Sequence, residues 1–235
     1  MTLVTGASGY IGSHLVEALL KSGREVLALD RRKMGRKMLE NTPKAPSRGL
    51  SFVQLDLLDH AALKSLLKAY SIDEIVHLAA LTSVPESMAK PALYWEANVA
   101  TTAHLAAACA NLPSLKAFIF ASTAAVYAPD ASGLVHEGSP LAPSSVYGES
   151  KLACEGLLRS VFRQSSIRFC AFRYFNVAGG AMSEQSPLLP PSIYRALRDG
   201  AKLSIYGLDW PSNDGSAIRD FVHVKDLAQR RIFAI

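Results

Sequence analysis

Leu3-Val4-Thr5-Gly6-Ala7-Ser8-Gly9-Tyr10-Ile11-Gly12 is the stretch from which the fold can be read. Leu3-Val4-Thr5 is a short apolar run of strand type, and helical patterning follows from Tyr10 to Lys21. Between them, Gly6, Gly9 and Gly12 let the backbone turn tightly and approach a ligand closely. The helix that opens there presents free N–H groups and the positive end of its dipole, so the anion suited to the turn is a pyrophosphate. The spacing is GxxGxxG, and a glycine turn alone is often only a turn.

Working outward, strand and helix patterns alternate. Strands are predicted at Val26–Asp30, Phe52–Leu55, Glu74–Leu78, Ala117–Ala121 and Arg168–Tyr174. Helices are predicted at Leu58–Ala69, Tyr147–Arg163 and, as one long alanine-rich helix, Pro91–Asn111. This rhythm predicts an α/β fold, a doubly wound parallel sheet of Rossmann type. Ligands of such a sheet bind at the carboxyl ends of the strands, near the reversal of strand order. Residues 31–50, with Pro43, Pro46 and Gly49, read as an irregular loop. After about residue 175 the rhythm breaks at Gly179, Gly180, Pro187, Pro190 and Pro191. A helix over Ser192–Asp199, a strand near Leu203–Tyr206 and a helix from Lys225 follow. The expected organisation is therefore a dinucleotide-binding domain over 1–175 and an incomplete, smaller substrate-binding region over 176–235.

Asp30 ends the second strand, where a carboxylate can accept hydrogen bonds from adenosine ribose hydroxyls and repel a 2′-phosphate. That favours NAD. Arg31 and Arg32 leave NADP open, since arginines there can hold the extra phosphate. Asp56 ends the third strand and suits either an adenine amino group or a helix-flanking cap, with Asp59 the stronger N-cap for the next helix. Asn98, among alanines, is a polar side chain suited to facing a cofactor.

Tyr147-Gly-Glu-Ser-Lys151 places a phenol and an ammonium one helical turn apart on the same face. A nearby ammonium favours the phenolate and makes tyrosine a base usable nearer neutrality. Ser122-Thr123 ends the fifth strand, facing the same crevice. Hydroxyl, phenol and ammonium together form a set for moving a proton and a hydride at a secondary alcohol.

The formal charge of +5 is modest, and no basic stripe interleaved with aromatics recurs, which argues against nucleic-acid binding. The run Arg31, Arg32, Lys33, Arg36, Lys37 reads either as a solvated loop or as a contact with a phosphorylated ligand. Three cysteines, Cys109, Cys154 and Cys170, sit in apolar contexts without metal-type spacing; no metal is expected, and the compartment is expected to be reducing. No apolar run approaches the ~20 residues of a membrane span, and no signal peptide is read before the first strand, so a cytoplasmic location is expected.

With these residues in view the chain resembles the extended short-chain dehydrogenase/reductases, most closely UDP-glucose 4-epimerases. The resemblance rests on Thr5–His14, Ser122-Thr123 with Val126-Tyr127, Ser145–Lys151, Arg173-Tyr-Phe-Asn176 and Arg219–Ala228. It implies that Tyr147 is the base, Lys151 its tuner and ribose ligand, and Thr123 the residue that hydrogen-bonds the sugar hydroxyl. Gly6, Gly9, Tyr10, Ile11, Gly12, Asp30, Asp56, Leu57, Ala79, Ala80, Asn98, Ser122 and Phe175 fall on cofactor positions. Asn176, Tyr206 and Arg219 fall on substrate positions, Asn176 and Arg219 where the nucleotide diphosphate is held. Ala124 and Ala125 stand where related dehydratases carry an acidic pair, and Thr82 where many UDP-galactose epimerases carry a lysine. The implied reaction is C4 epimerisation of a UDP-sugar through transient oxidation by tightly bound NAD, in an expected homodimer. A reductase or dehydrogenase using NADP, or a cofactor-binding protein without turnover, are the alternatives.

Overall fold

The computed structural model describes residues 1–33, 49–128, 133–180, 189–200, 202–204, 207–210 and 212–232. They divide into two compact units, one over residues 1–174 and one over the described residues from Phe175 to Ile232. In the first unit, six strands form one parallel sheet: β1 (Thr2–Thr5), β2 (Val26–Asp30), β3 (Leu50–Gln54), β4 (Glu74–His77), β5 (Ala117–Thr123) and β6 (Arg168–Tyr174). Their order is β3-β2-β1-β4-β5-β6. The order reverses between β1 and β4, which puts the ligand crevice of such a sheet beyond Thr5 and His77.

Every residue of β1, β2 and β4 is buried, as expected for strands covered on both faces. Helices α1 (Tyr10–Lys21) and α2 (His60–Ala69) supply part of that cover. On α1 the buried residues Gly12, Leu15, Val16 and Leu19 follow helical spacing. Asp59 accepts from the Ala62 N–H and starts α2, as expected of the stronger N-cap. The core gathers Leu3, Leu27, Leu63, Ile75, Leu105, Phe118 and Leu158 from strands and helices alike.

A short helix α3 (Val84–Ala89), not predicted from the pattern, is capped by Ser83. The helix predicted as continuous over 91–111 is instead three pieces: α4 (Pro91–Tyr94), a π-turn (Trp95–Ala100) and α5 (Thr101–Cys109). The wider turn rotates the helix face at Asn98. Thr101 and Thr102 then donate to the carbonyls of Ala97 and Asn98, at 2.7 and 2.6 Å. A 3₁₀ turn (Ala124–Val126) follows β5, and α6 (Val146–Phe162) carries Tyr147 and Lys151.

The second unit holds α7 (Leu189–Asp199), α8 (Val224–Ile232) and a two-stranded parallel sheet of β7 (Asn176–Ala178) and β8 (Phe221–His223). α7 begins at Leu189, earlier than the predicted Ser192. Leu203 and Ser204 are not extended into a strand, and Ile205 and Tyr206 lie outside the described residues. Among the described residues no helix is long and apolar enough to cross a membrane.

Candidate active site

The glycine turn is packed so that side chains are excluded. Gly6 has φ 69°, and a Cβ there would lie 2.7 Å from the backbone nitrogen of Ala79. A Cβ on Gly12 would collide with the Gly6 carbonyl oxygen. Gly9 caps α1 without a side-chain acceptor, and the first turn carries no acidic residue, so nothing from the helix itself competes for its N–H groups. The Ser8 hydroxyl, buried in the turn, has no hydrogen-bond partner among the described residues. This is the chemistry of an anion cradle, and a pyrophosphate fits it.

Asp30 is buried and accepts from the Ser8 N–H at 2.9 Å and the Arg32 N–H at 2.9 Å. The Arg32 guanidinium also folds onto it, with Nε 3.2 Å from Oδ1. Arg31 and Lys33 are exposed, while Arg36 and Lys37 lie outside the described residues. Asp56 is exposed and accepts from the Leu58 N–H, the capping geometry rather than a free carboxylate. Leu57 is buried in the core, which leaves its backbone, not its side chain, for a ligand.

Ala79 and Ala80 follow β4 beside the glycine turn, and a buried chain of hydrogen bonds fixes that strand end. Thr5 Oγ1 accepts from the N–H groups of Leu78 and Ala79, so its own proton goes to His77 Nδ1 at 2.7 Å. The ring proton is therefore on Nε2, which donates to Thr102 at 3.0 Å, and Thr102 donates onward to Asn98 O. Burial, and then the Lys151 ammonium, push the His77 pKa down to about 3 and keep the ring neutral.

Asn98, expected to face a cofactor, uses its side chain internally. It accepts from the Leu81 N–H and donates to Leu81 O and Ser150 Oγ, tying the loop after β4 to α6. The cause is the π-turn, which no residue periodicity announced.

Tyr147 reaches Thr123 because α6 starts very close to the 3₁₀ turn. Gly148 sits against the Ala125 carbonyl oxygen, where any Cβ would collide. Ser145 caps α6 by accepting from the Gly148 N–H, and the Tyr147 N–H donates to Ser87 Oγ on α3. The Thr123 hydroxyl then faces the Tyr147 phenol as its side-chain hydrogen-bonding group. Burial pushes the phenol above its ordinary range; the Thr123 hydrogen bond opposes this, and the neighbouring Tyr94 phenol adds to it.

The expected lowering of Tyr147 by Lys151 is not what governs it. The Lys151 ammonium is buried, 4.1 Å from the Phe120 ring centroid, and its charge acts on His77 and Cys154. One helical turn placed the two residues on one face. The tertiary packing decided where the long lysine chain ended.

In the second unit, Phe175 is exposed. Asn176 donates through Nδ2 to Asp220 O at 3.0 Å, in addition to the backbone bond between the same residues. Arg219 donates to Ile218 O, and its guanidinium stacks 5.5 Å from the Trp210 ring. The cysteines are free; Cys109 and Cys154 are buried, and burial raises the Cys109 thiol to about 12.

Comparison with known proteins settles the family. The profile of the NAD dependent epimerase/dehydratase family matches residues 2–235. The chain belongs to this family. A UDP-glucose 4-epimerase of Lacticaseibacillus casei is 38% identical over 240 residues, covering 99% of this chain and 70% of that protein. The solved UDP-N-acetylglucosamine 4-epimerase of Methanobrevibacter ruminantium, in complex with UDP-N-acetylmuramic acid, aligns with TM-score 0.85 at 35% identity over 99% of this chain and 72% of that one. The UDP-glucose 4-epimerase of Bifidobacterium longum, in complex with NAD+ and UDP, aligns with TM-score 0.87 at 30% identity over 98% and 72%.

Sequence reasoning about this family member missed Ser87, Tyr94 and Glu155. Ser87 and Tyr94 lie close in sequence to Pro85 and Trp95 and carry no periodic signal. Glu155 did carry one, since it stands one helical turn beyond Lys151.

Proposed function

We propose that the chain interconverts the C4 epimers of a UDP-sugar of the glucose/galactose type. The observation that carries this reading is the Thr123 hydroxyl facing the Tyr147 phenol at the carboxyl end of β5, where α6 and the 3₁₀ turn close together next to the switch in strand order. A partly buried phenol facing a hydroxyl is placed to exchange a proton with a sugar O4. Ala124 and Ala125 supply no second acid/base couple, which leaves C4 oxidation and re-reduction without elimination of water.

The residues present fit NAD. Gly6, Gly9, Gly12 and the N-terminus of α1, with Tyr10 and Ile11, would hold the pyrophosphate. Asp30 would take the ribose hydroxyls, and its pairing with Arg32 turns that arginine away from a 2′-phosphate. Asp56, Leu57, Ala79, Ala80, Asn98, Ser122, Lys151 and Phe175 complete the assignment. When bound, NAD supplies reversible hydride acceptance from C4 and, in its oxidised form, a positive charge.

Tyr147 takes the O4 proton and later returns it. Its own burial opposes ionisation, Thr123 favours it, and further positive charge in the pocket moves the balance toward phenolate. Thr123 also orients the sugar hydroxyl. From the second unit we assign Asn176, Tyr206 and Arg219 to the nucleotide diphosphate; a planar guanidinium suits phosphate oxygens. Binding through the nucleotide leaves the sugar free to turn over between proton transfers.

The assignment of 1–175 to NAD binding and 176–235 to substrate binding follows the same logic. We place the protein in the cytoplasm, supported by three unbridged cysteines. We also infer a homodimer, supported by Met88, Leu93 and Trp95 exposed on neighbouring helices; a monomer in sedimentation at micromolar concentration overturns it.

The test is interconversion of UDP-glucose and UDP-galactose by the purified chain with no cofactor added. Conversion is expected. Strict dependence on added NADPH, or NAD binding with no turnover of any UDP-sugar, overturns the reading.

A further inference from the structure

Behind the strand end that carries Thr123 lies a charged pair, a buried carboxylate and a partly buried guanidinium, that the proton-transfer site does not itself use. Glu155, on α6 and 1% exposed, receives two hydrogen bonds from Arg173 of β6, at 3.0 and 2.8 Å. Ser122 donates to the same carboxylate at 2.5 Å, and Arg159 approaches it at 3.8 Å. Arg173 also donates to the Tyr127 hydroxyl at 3.1 Å and lies over that ring at 4.9 Å. Ser122 and Arg173 are register partners across β5 and β6.

The pair thus grips both ends of the segment 122–127, Ser122 through Glu155 and Tyr127 through Arg173. Thr123 lies inside that segment. Successive strand side chains point to opposite faces, so holding Ser122 against Glu155 fixes the direction in which Thr123 projects. Inside the grip Thr123 also accepts from the Ala125 N–H at 3.2 Å, which sets the 3₁₀ turn against Gly148. Glu155 and Tyr147 ride on the same helix, so one rigid element carries both the phenol and the carboxylate that aims its hydroxyl partner.

We propose that Glu155 is a positioning residue of this enzyme: through Ser122 and the Arg173–Tyr127 arm it keeps the Thr123 hydroxyl turned toward Tyr147. The proposal rests on the proton-transfer reading of Tyr147 given above. A purely structural ion pair would matter for stability and leave the phenol's titration alone. A buried pair is commonly replaceable by neutral groups of similar volume without loss of stability, whereas removing one partner strands the other.

The experiment uses Glu155→Gln and the double variant Glu155→Gln/Arg173→Met, which leaves no stranded cation. Ser122→Ala is the third variant; it cuts the tie to the strand and keeps the ion pair. Each is measured for kcat and KM with UDP-galactose and for NAD retained per chain. Tyr147 is titrated by tyrosinate absorbance, as the difference between each protein and its Tyr147→Phe counterpart. Tyr147 faces Thr123 and Tyr94, and only the first of these is under Glu155's control.

The expected result is a roughly 10- to 100-fold loss of kcat in both Glu155 variants. KM and NAD content stay within about threefold, a range too small to account for a misplacement effect of that size. The Tyr147 titration moves to higher pH. Ser122→Ala gives the same direction with the ion pair intact and a melting temperature lowered only by the loss of one hydrogen bond. If the double variant restores wild-type kcat, or Tyr147 titrates as in wild type, the proposal is wrong. Should wild-type protein turn over no UDP-sugar, the functional reading falls, and the Tyr147 titration alone still decides the role of Glu155.

Discussion

Replacing Thr123 by valine tests the proton-transfer site most directly, because the shape is kept and one hydroxyl is lost. The Thr123 hydroxyl is what opposes the burial-driven rise of the Tyr147 phenol. A hydrogen bond to an ionised group contributes about 1.5–3 kcal/mol, against about 1 kcal/mol for a neutral pair. Its removal therefore disfavours phenolate over phenol by roughly 1–2 kcal/mol, close to one pKa unit. Tyr147 acts as the base, so activity rises with pH below its pKa. Thr123→Val should move that limb about one unit to higher pH. At a fixed pH on the limb, kcat falls roughly tenfold; above both pKa values the loss shrinks to the pH-independent part left by the missing contact to the sugar hydroxyl. Loss of the Ala125 N–H acceptor costs about 1 kcal/mol of stability, a few degrees in melting temperature. The assay is kcat for UDP-galactose against pH, with melting curves run in parallel. A loss of the same factor at every pH refutes the argument, because it would mean that Thr123 acts on substrate alone and not through the phenol.

Three further outcomes follow from other residues. Tyr147→Phe should abolish most epimerisation and leave NAD bound; surviving activity assigns the base elsewhere. Gly12→Ala drives a methyl into the Gly6 carbonyl and should remove NAD retention, with a fold still detectable by circular dichroism; retained NAD would contradict the cradle. His77 is neutral and buried with a pKa near 3, so the unfolded chain binds a proton below about pH 6.5 that the folded chain refuses. Stability then declines as pH falls from about 6.5 toward 3, by on the order of 4–5 kcal/mol if the fold survives that far. His77→Gln should flatten the decline in denaturant titrations at several pH values; an unchanged slope would point to other groups.

How far the site could be read in advance differs from residue to residue. Gly6, Gly12 and Asp30 were legible because their roles are backbone and strand-end roles, set by neighbours within a few residues. Tyr147 and Lys151 were legible as a helix-face pair, yet the direction of the Tyr147 shift was not. Asn98 is legible as a polar side chain suited to a cofactor, but its bridge between Leu81 and Ser150 is not, since the π-turn at this point leaves no mark in spacing. Ser122 is expected at the cofactor, but in this fold its hydroxyl is held by Glu155 across 33 residues of chain.

The sequence by itself determined the strand–glycine–helix unit, the parallel alternation and the residue types of a hydride-transfer site. These are local matters, decided by hydrophobic period, by glycine's missing Cβ and by one-turn spacing. Only the tertiary structure decided which groups meet: Thr123 with Tyr147, Glu155 with Ser122 and Arg173, Lys151 with Phe120 and His77. The physical reason is desolvation and packing. How much water a phenol or ammonium loses, and which dipoles replace it, depends on helices and strands that are distant in the chain and converge only when the sheet closes.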